Sequence, residues 1–149
     1  FCGMVLAGDA ILRDPVAFFS TFGWVGKHFA CGRKLKRQLA LAKSLSALYE
    51  TPSCPLVAAA AQYVYERTRG VQPVFTPDGY HFVPRDYNPP RVVVPDVARQ
   101  LFAELYHISA DTQIAVEEQL SRGNWAVLAN VLSIHPHMQD YATRYIERL

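Results

Sequence analysis

The fold is decided by residues 33–49, which read RKLKRQLALAKSLSALY. Apolar residues recur there every three or four positions, so a helix places them on one broad face: Leu35, Leu39, Leu41, Ala42, Leu45 and Leu48. This spacing predicts an amphipathic helix that starts near Arg33 and runs to Tyr49.

The sequence before this helix predicts a β-hairpin and a short helix. Residues 1–7 are apolar and strand-like, Gly8-Asp9 is a turn candidate of open type, and residues 10–13 return as a second strand. Asp14-Pro15 then supplies a good N-cap followed by a proline at the first helical position. The short helix that begins there is expected to stop at Gly23.

The sequence after residue 50 predicts one more helix and then a long loop. Pro55 opens a helix that runs to Arg69, with Gly70 as its stop. Residues 71–95 hold six of the ten prolines, together with four aromatic residues that suit an ordered loop better than a flexible linker: Phe75, Tyr80, Phe82 and Tyr87. Short strands are allowed within residues 80–94.

From Pro95 to the end, the pattern is helical again. Val97, Leu101 and Leu105 form one apolar stripe, with Phe102 beside it. The expected boundaries of the three remaining helices are the cap at Ser109, the stop at Gly123, the cap at Asn124 and the start at Pro136, with the last helix reaching Leu149. Because the connections are short, these helices are predicted to be antiparallel neighbours. The expected fold class is therefore mostly α, an N-terminal β-hairpin followed by a small helical bundle.

Composition is that of one globular domain. The chain has 149 residues, of which 50% are hydrophobic and 19% charged, enough apolar material for a core. Three cysteines without a CxxC pair argue against a disulfide framework and for a reducing compartment. The strongest apolar run, Leu56–Ala61, is too short to cross a bilayer, so no transmembrane segment is expected. The chain opens at Phe1, inside a strand-like run, so we expect it to be cut from a longer polypeptide.

Charge is spread unevenly along the chain. Between Asp14 and Glu50 there is no acidic residue but there are six basic ones, Lys27, Arg33, Lys34, Lys36, Arg37 and Lys43. The other nine basic and thirteen acidic residues leave the remainder at −4. Basic residues at a helix start oppose the helix dipole, which favours carboxylates there. An external polyanion would explain the pattern, and a solvated helix start or tertiary partners would explain it equally well.

The motifs of catalytic and metal sites are missing from the sequence. It contains no Gly-rich phosphate loop, no Gly-x-Ser-x-Gly and no His-Glu-x-x-His. Glu117 and Glu118 are adjacent and so diverge by about 100° on a helix. His135-Pro-His137 is a weak metal signal, and Cys2 or Cys31 with His28 lacks an orienting third group. We therefore expect no catalytic residue, no metal ligand and no cofactor on this chain.

Several motifs occur in a fixed order in the N-terminal half: Phe1-Cys2-Gly3, the hairpin, Asp14-Pro15, Gly23, Lys27, Leu35, Lys43-Ser44-Leu45 and Tyr49. This run resembles the end of the palm and the start of the thumb in RNA-dependent RNA polymerases of positive-strand RNA viruses. Phe-Cys-Gly is similar to motif E of alphavirus-like and tobamovirus-like polymerases. Gly70, Pro77-Asp78-Gly79 and the helical tail are similar in layout to nodavirus-like polymerases. The motif-level match covers residues 1–70, and the rest matches in layout alone.

The resemblance implies that residues 1–14 end the palm and residues 15–149 form the thumb. Phe1, Cys2 and Gly3 would belong to the primer-grip hairpin, while Lys27, Arg33, Lys34, Lys36 and Arg37 would contact the phosphates of the template–product RNA duplex. The parent enzyme would be an RNA-directed nucleotidyltransferase using Mg²⁺ or Mn²⁺. Its catalytic Gly-Asp-Asp lies upstream in the family and does not occur here, since Gly8-Asp9-Ala10 lacks the second carboxylate. The chain alone would be inactive.

The implied partners are the RNA duplex, the upstream palm and fingers, and other replicase proteins. The implied location is the host cytoplasm, at membrane-associated replication complexes reached through other parts of the replicase. The alternative is a non-enzymatic helical module that binds protein through its C-terminal helices 95–149 and has no role with RNA.

Overall fold

The computed structural model describes residues 3–22, 30–76 and 83–132. In these ranges the chain forms one antiparallel hairpin and six helices: β1 (Met4–Ala7), β2 (Ala10–Arg13), α1 (Pro15–Thr21), α2 (Arg33–Glu50), α3 (Val57–Thr68), α4 (Asp96–Tyr106), α5 (Ala110–Ser121) and α6 (Val127–Val131). The expected fold class, mostly helical after an N-terminal hairpin, is confirmed. The predicted stop at Gly23 and the predicted helix 136–149 lie outside the described residues.

The hairpin has the predicted two-residue turn. Ala7 pairs with Ala10, so Gly8 and Asp9 form the loop. Of these two residues only Gly8 has a positive φ, +59°, which is the pattern of a type II′ turn. Alternation along the strands gives the hairpin two faces. The inner face, which includes Ala7, Ala10 and Leu12, is buried, whereas Leu6 on the outer face is 73% exposed.

The first helix begins as its two opening residues predict. The Asp14 carboxylate accepts hydrogen bonds from the backbone N–H groups of Val16 (2.8 Å) and Ala17 (3.4 Å), and Pro15 stands at the first position. Three phenylalanines follow and pack with a tryptophan from the other end of the described chain: Phe18, Phe19, Phe22 and Trp125. This aromatic cluster joins α1 to the turn before α6.

Helices α2 and α3 form the largest helix–helix contact. The predicted helix 33–49 is confirmed as Arg33–Glu50, and its apolar face is buried from Leu39 to Leu48. A short connection links α2 to α3, and the Arg37 side chain near the start of α2 reaches the Arg67 carbonyl near the end of α3. The two helices are therefore antiparallel, with the start of α2 beside the end of α3.

Helix α3 begins at Val57 and not at Pro55 as predicted. Leu56 has φ +64° and ψ −50°, and the Val57 N–H donates to the Pro55 carbonyl at 2.7 Å, which makes a γ-turn centred on Leu56. This conformation is strained for a residue with a side chain. Glu117 on α5 holds it, because its carboxylate accepts the Leu56 N–H at 3.0 Å.

Glu117 also joins α5 to α4 through a partly buried polar network. Its two carboxylate oxygens accept hydrogen bonds from the Arg99 guanidinium at 2.9 and 3.2 Å. This ion pair is bidentate, and its side chains are only 15% and 16% exposed. Gln113, fully buried, donates to the Arg99 and Ile108 carbonyls at 3.0 and 2.8 Å. One carboxylate thus ties together the start of α3, the middle of α4 and α5.

The long loop forms no strand in its described part. Residues 83–95 form no ladder hydrogen bonds and include a turn at Arg85-Asp86, where the Tyr87 N–H donates to the Pro84 carbonyl at 3.1 Å. The strand allowed at 91–94 is therefore not formed, and residues 80–82 lie outside the described ranges. The nearby hairpin is two-stranded and offers this segment no pairing. Tyr87 packs edge-on against Tyr49 of α2, with ring centroids 5.1 Å apart.

The core-facing row of α4 differs from the predicted stripe. Ala98 and Phe102 are fully buried, whereas Val97 and Leu105 are 49% and 41% exposed. The hairpin and α5 both contact α4, and they leave Val97 and Leu105 partly exposed. The predicted stripe with Phe102 beside it is therefore on a helix, and within it Leu101 packs against the core while Val97 and Leu105 stay partly exposed.

The boundaries of α5 and α6 depend on their caps. Ser109 caps α5 as predicted, because its hydroxyl accepts the Thr112 N–H at 3.3 Å. Asn124 does not cap the next helix as predicted. Its side chain donates back to Gln119 at 3.0 Å, and α6 starts at Val127 without a side-chain cap.

Candidate nucleic-acid interface

The basic residues proposed for RNA differ in exposure. Arg33 and Lys34 are exposed in the first turn of α2, while Lys36 and Arg37 are half-buried, and Lys27 lies outside the described residues. Gly32 at the N-cap supplies no side chain to the N–H groups of that turn. The start of α2 thus presents positive side chains and the positive end of a helix dipole at one place.

Arg37 has an internal role that its sequence position does not reveal. Its guanidinium donates to the Arg67 carbonyl at 3.0 Å, and that carbonyl belongs to the last turn of α3. An arginine that satisfies a C-terminal carbonyl stabilises the helix end. Arg37 therefore links α2 to α3, whatever else it contacts.

Two further basic residues reach this end of the molecule from α3. Arg67 and Arg69 are exposed, and antiparallel packing sets the end of α3 beside the start of α2. The Arg67 guanidinium lies over the Tyr63 ring, 5.4 Å from its centroid. Val74 donates its N–H to the Gln38 carbonyl at 3.2 Å, so the chain on both sides of Arg69 follows α2.

Arg67 and Arg69 cannot be recognised from a count of charges along the sequence, because they lie outside the basic stretch between Asp14 and Glu50. The available signal was the short connection after α2, which forces antiparallel neighbours and so pairs the end of one helix with the start of the other. We name the four exposed residues at this end, Arg33, Lys34, Arg67 and Arg69, the basic end. Glu66 is its one acidic neighbour on α3, and it accepts a hydrogen bond from Gln62 at 2.8 Å.

Long basic side chains around a helix start suit the binding of phosphate oxygens. Arginine and lysine neutralise phosphates without reading base edges, and uncapped N–H groups add donors to the same anion. The basic end therefore has the chemistry of a nucleic-acid backbone site.

The proposed primer-grip residues are described only at Gly3. Its φ is +77°, and a Cβ built there would meet nothing within 4 Å, so the described chain leaves open space beside it. Phe1 and Cys2 lie outside the described residues.

Of the four aromatic residues in the long loop, the structure describes two, Phe75 and Tyr87. Tyr87 packs on Tyr49 and so anchors the loop to α2. Phe75 is 42% exposed, and Tyr80 and Phe82 lie outside the described residues.

The possible metal ligands, acids and nucleophiles among residues 3–22, 30–76 and 83–132 do not come together in one site. No cluster of three or more His, Cys, Asp or Glu there is arranged to hold a metal. Glu117 and Glu118 bind different arginines, Arg99 and Arg122. Burial raises the pKa of the Cys54 thiol to about 12, with a smaller opposing effect of the Arg13 backbone hydrogen bond, so this cysteine is not a ready nucleophile.

Within the described part of the chain, none of the helices has the length and apolar character needed to cross a bilayer. No family model matches the chain, and comparisons with curated proteins and with solved structures gave no match.

Proposed function

We propose that the chain is the motif E hairpin and thumb of a viral RNA-dependent RNA polymerase, and that its basic end holds the backbone of the template–product duplex. The observation that carries the proposal is that the start of α2, with exposed Arg33 and Lys34, lies beside the end of α3, with exposed Arg67 and Arg69. The sequence resemblance supports it from an independent direction. Arg37 positions these residues by joining the two helices.

The mechanics follow from the shape of double-stranded RNA. The A-form major groove is too narrow for side chains to read, so a duplex is held through phosphates and 2′-hydroxyls. Such contacts position the duplex without reading its sequence. Nucleotide addition itself belongs to the upstream palm, with Mg²⁺ or Mn²⁺ as cofactor. We further propose the host cytoplasmic replication complex as the location, with replicase proteins as partners.

The test is a salt titration of duplex RNA binding by the 149-residue chain, measured by fluorescence anisotropy. Two double variants, R33A/K34A and R67A/R69A, each remove two positive charges from the basic end. Each is expected to weaken binding equally across RNA sequences and to reduce the slope of log K against log salt by about 0.7–0.9 for every phosphate that is no longer neutralised. Arg37 is left unchanged because its removal would also disturb α2–α3 packing.

The matched control is R85A/R91A, which removes the same charge from two exposed arginines of the long loop. It should leave the slope closer to wild type than either basic-end variant does. If all three variants bind duplex RNA alike over a range of salt, the basic end is a solvated surface and the RNA assignment is wrong.

A second candidate function is a helical module that binds protein. The observation in its favour is a set of exposed apolar side chains beyond residue 90: Val93, Val97, Leu105 and Ile114. A protein-binding module predicts no salt-dependent binding of duplex RNA, so the same titration separates the two.

A further inference from the structure

One aromatic side chain of the long loop stays exposed beside the basic end. Phe75 is 42% exposed, whereas Tyr87 in the same loop packs against Tyr49, with ring centroids 5.1 Å apart. Among the described residues, no aromatic ring contacts Phe75. Its neighbour Val74 packs against the core and fixes the chain at this point. The position of Phe75 therefore does not depend on contacts of its own ring.

A backbone hydrogen bond of Val74 sets where Phe75 lies relative to the cations. The Val74 N–H donates to the Gln38 carbonyl at 3.2 Å. Gln38 follows Lys34 by one turn on the same face of α2, about 6 Å along the helix axis. On the other side, only residues 70–74 separate Phe75 from Arg69. Phe75 therefore borders the basic end, about one turn along α2 from Lys34.

An exposed ring beside exposed cations has the composition of a site for single-stranded nucleic acid. Unpaired bases stack on aromatic side chains, while lysine and arginine neutralise the phosphates next to the stacked base. Paired bases are stacked on each other, so RNA bases that stack on protein rings come from loops, bulges and ends. Phe75 carries no charge and no side-chain donor, so it adds nothing to the binding of duplex phosphates. What its ring offers is a surface for an unpaired base.

We propose that Phe75 stacks on an unpaired base of the RNA that the basic end holds, so that the ligand of this surface is a junction between duplex and single strand. This inference rests on the proposed function, because the basic end supplies the phosphate contacts. Arg33 and Lys34 hold the backbone on the duplex side, and Phe75 receives a base beyond the last pair. Since every base has a flat face, the site tolerates any sequence in the single strand.

The test compares three RNA probes that share one base-paired region, with binding to the 149-residue chain measured by fluorescence anisotropy. The first is a blunt duplex, and the second is a forked duplex whose strands end in short non-complementary arms. The third is the same fork with abasic arms, which keep the phosphates but lack the bases. The wild type should bind the fork about fivefold or more tighter than the abasic fork, the lower limit for one stacked base. Phe75→Ala and Phe75→Leu should each remove this preference and leave blunt-duplex binding unchanged, whereas Phe75→Tyr should keep the preference.

Two controls separate base stacking from other causes. Ile114 is 51% exposed and lies one turn before Glu117, which reaches the start of α3 and not its basic end, so Ile114→Ala should keep the preference for the fork. R33A/K34A should weaken the binding of all three probes.

Equal affinity of the wild type for the fork and the abasic fork overturns the inference, as does a preference that Phe75→Ala leaves intact. If R33A/K34A still weakens duplex binding in either case, the proposed function stands and only the stacking role is lost. If R33A/K34A changes the binding of no probe, the basic end does not hold RNA, and the proposed function and the inference are both wrong.

Discussion

Glu117→Ala is the substitution whose effect the structure defines best. The carboxylate of Glu117 accepts the backbone N–H of Leu56 at 3.0 Å and pairs with both outer nitrogens of Arg99. Alanine at this position leaves a partly buried arginine without its counter-charge. It also removes the anchor that holds the strained turn at Leu56.

The magnitude follows from burial. Breaking a buried ion pair from one side costs about 3–5 kcal/mol, and an unsatisfied buried N–H costs about 1–3 kcal/mol. The two side chains keep 15% and 16% of their exposure, which admits water to the arginine and places the cost at the lower limit. Relaxation of Leu56 returns part of its strain, about 1 kcal/mol. We expect a net destabilisation of about 3 kcal/mol, or about 6–12 °C in Tm for a domain of this size.

The neighbouring residue supplies the control. Glu118 is also paired with an arginine, Arg122, but these side chains are 58% and 66% exposed and lie one turn apart on the same helix. Such a surface pair contributes about 0.3–0.5 kcal/mol. Urea unfolding of Glu117→Ala and Glu118→Ala, followed by circular dichroism, should therefore give destabilisations that differ by roughly 2 kcal/mol or more. Equal destabilisation would refute the role assigned to Glu117.

Two further predictions rest on local geometry. A Cβ on Gly123, at φ +82°, would lie 2.7 Å from the Tyr63 hydroxyl, and Trp125 and Arg67 hold the Tyr63 ring in place. Gly123→Ala should therefore lower the free energy of unfolding, measured in urea, by about 2–3 kcal/mol. Adding Tyr63→Phe should restore the part of that loss that is due to the clash. No recovery in the double variant would contradict the clash. The pKa of the Cys54 thiol is raised from 9.0 to about 12, so the unfolded chain releases this proton first as pH rises. Stability should fall between those pH values, by about 1.4 kcal/mol at pH 10, and Cys54→Ala should remove that part of the pH slope.

Local signals in the sequence were enough for the elements whose ends are set by their own residues. Asp14-Pro15 fixes the start of α1 through a side-chain cap and a proline, and Ser109 caps α5 in the same way. The long periodic stretch predicted α2 to within one residue. In each of these cases the stabilising contact lies within four residues, so a short stretch of sequence contains both partners.

Non-local contacts explain the errors. Pro55 is a good helix opener, but α3 starts two residues later because a carboxylate 61 residues away in sequence captures the Leu56 N–H. Residues 91–94 are strand-like in sequence but form no strand, because a strand needs a neighbour to pair with. Periodicity likewise indicated the apolar arc of α4 without saying which of its residues face the hairpin and α5.

The basic block shows how packing changes the meaning of a charge count. The sequence offers six basic residues between Asp14 and Glu50, which suggests up to six phosphate contacts. Arg37 reaches a carbonyl of α3, and Lys43 lies ten residues after Arg33, about 15 Å along the helix. Arg67 and Arg69, at the end of α3, lie beside the start of α2 and add two exposed basic side chains there. If each of the four exposed residues neutralises one phosphate, the slope of log K against log salt should be about 3 to 3.5 in magnitude. A slope of about 5 would mean that side chains outside the basic end also bind RNA.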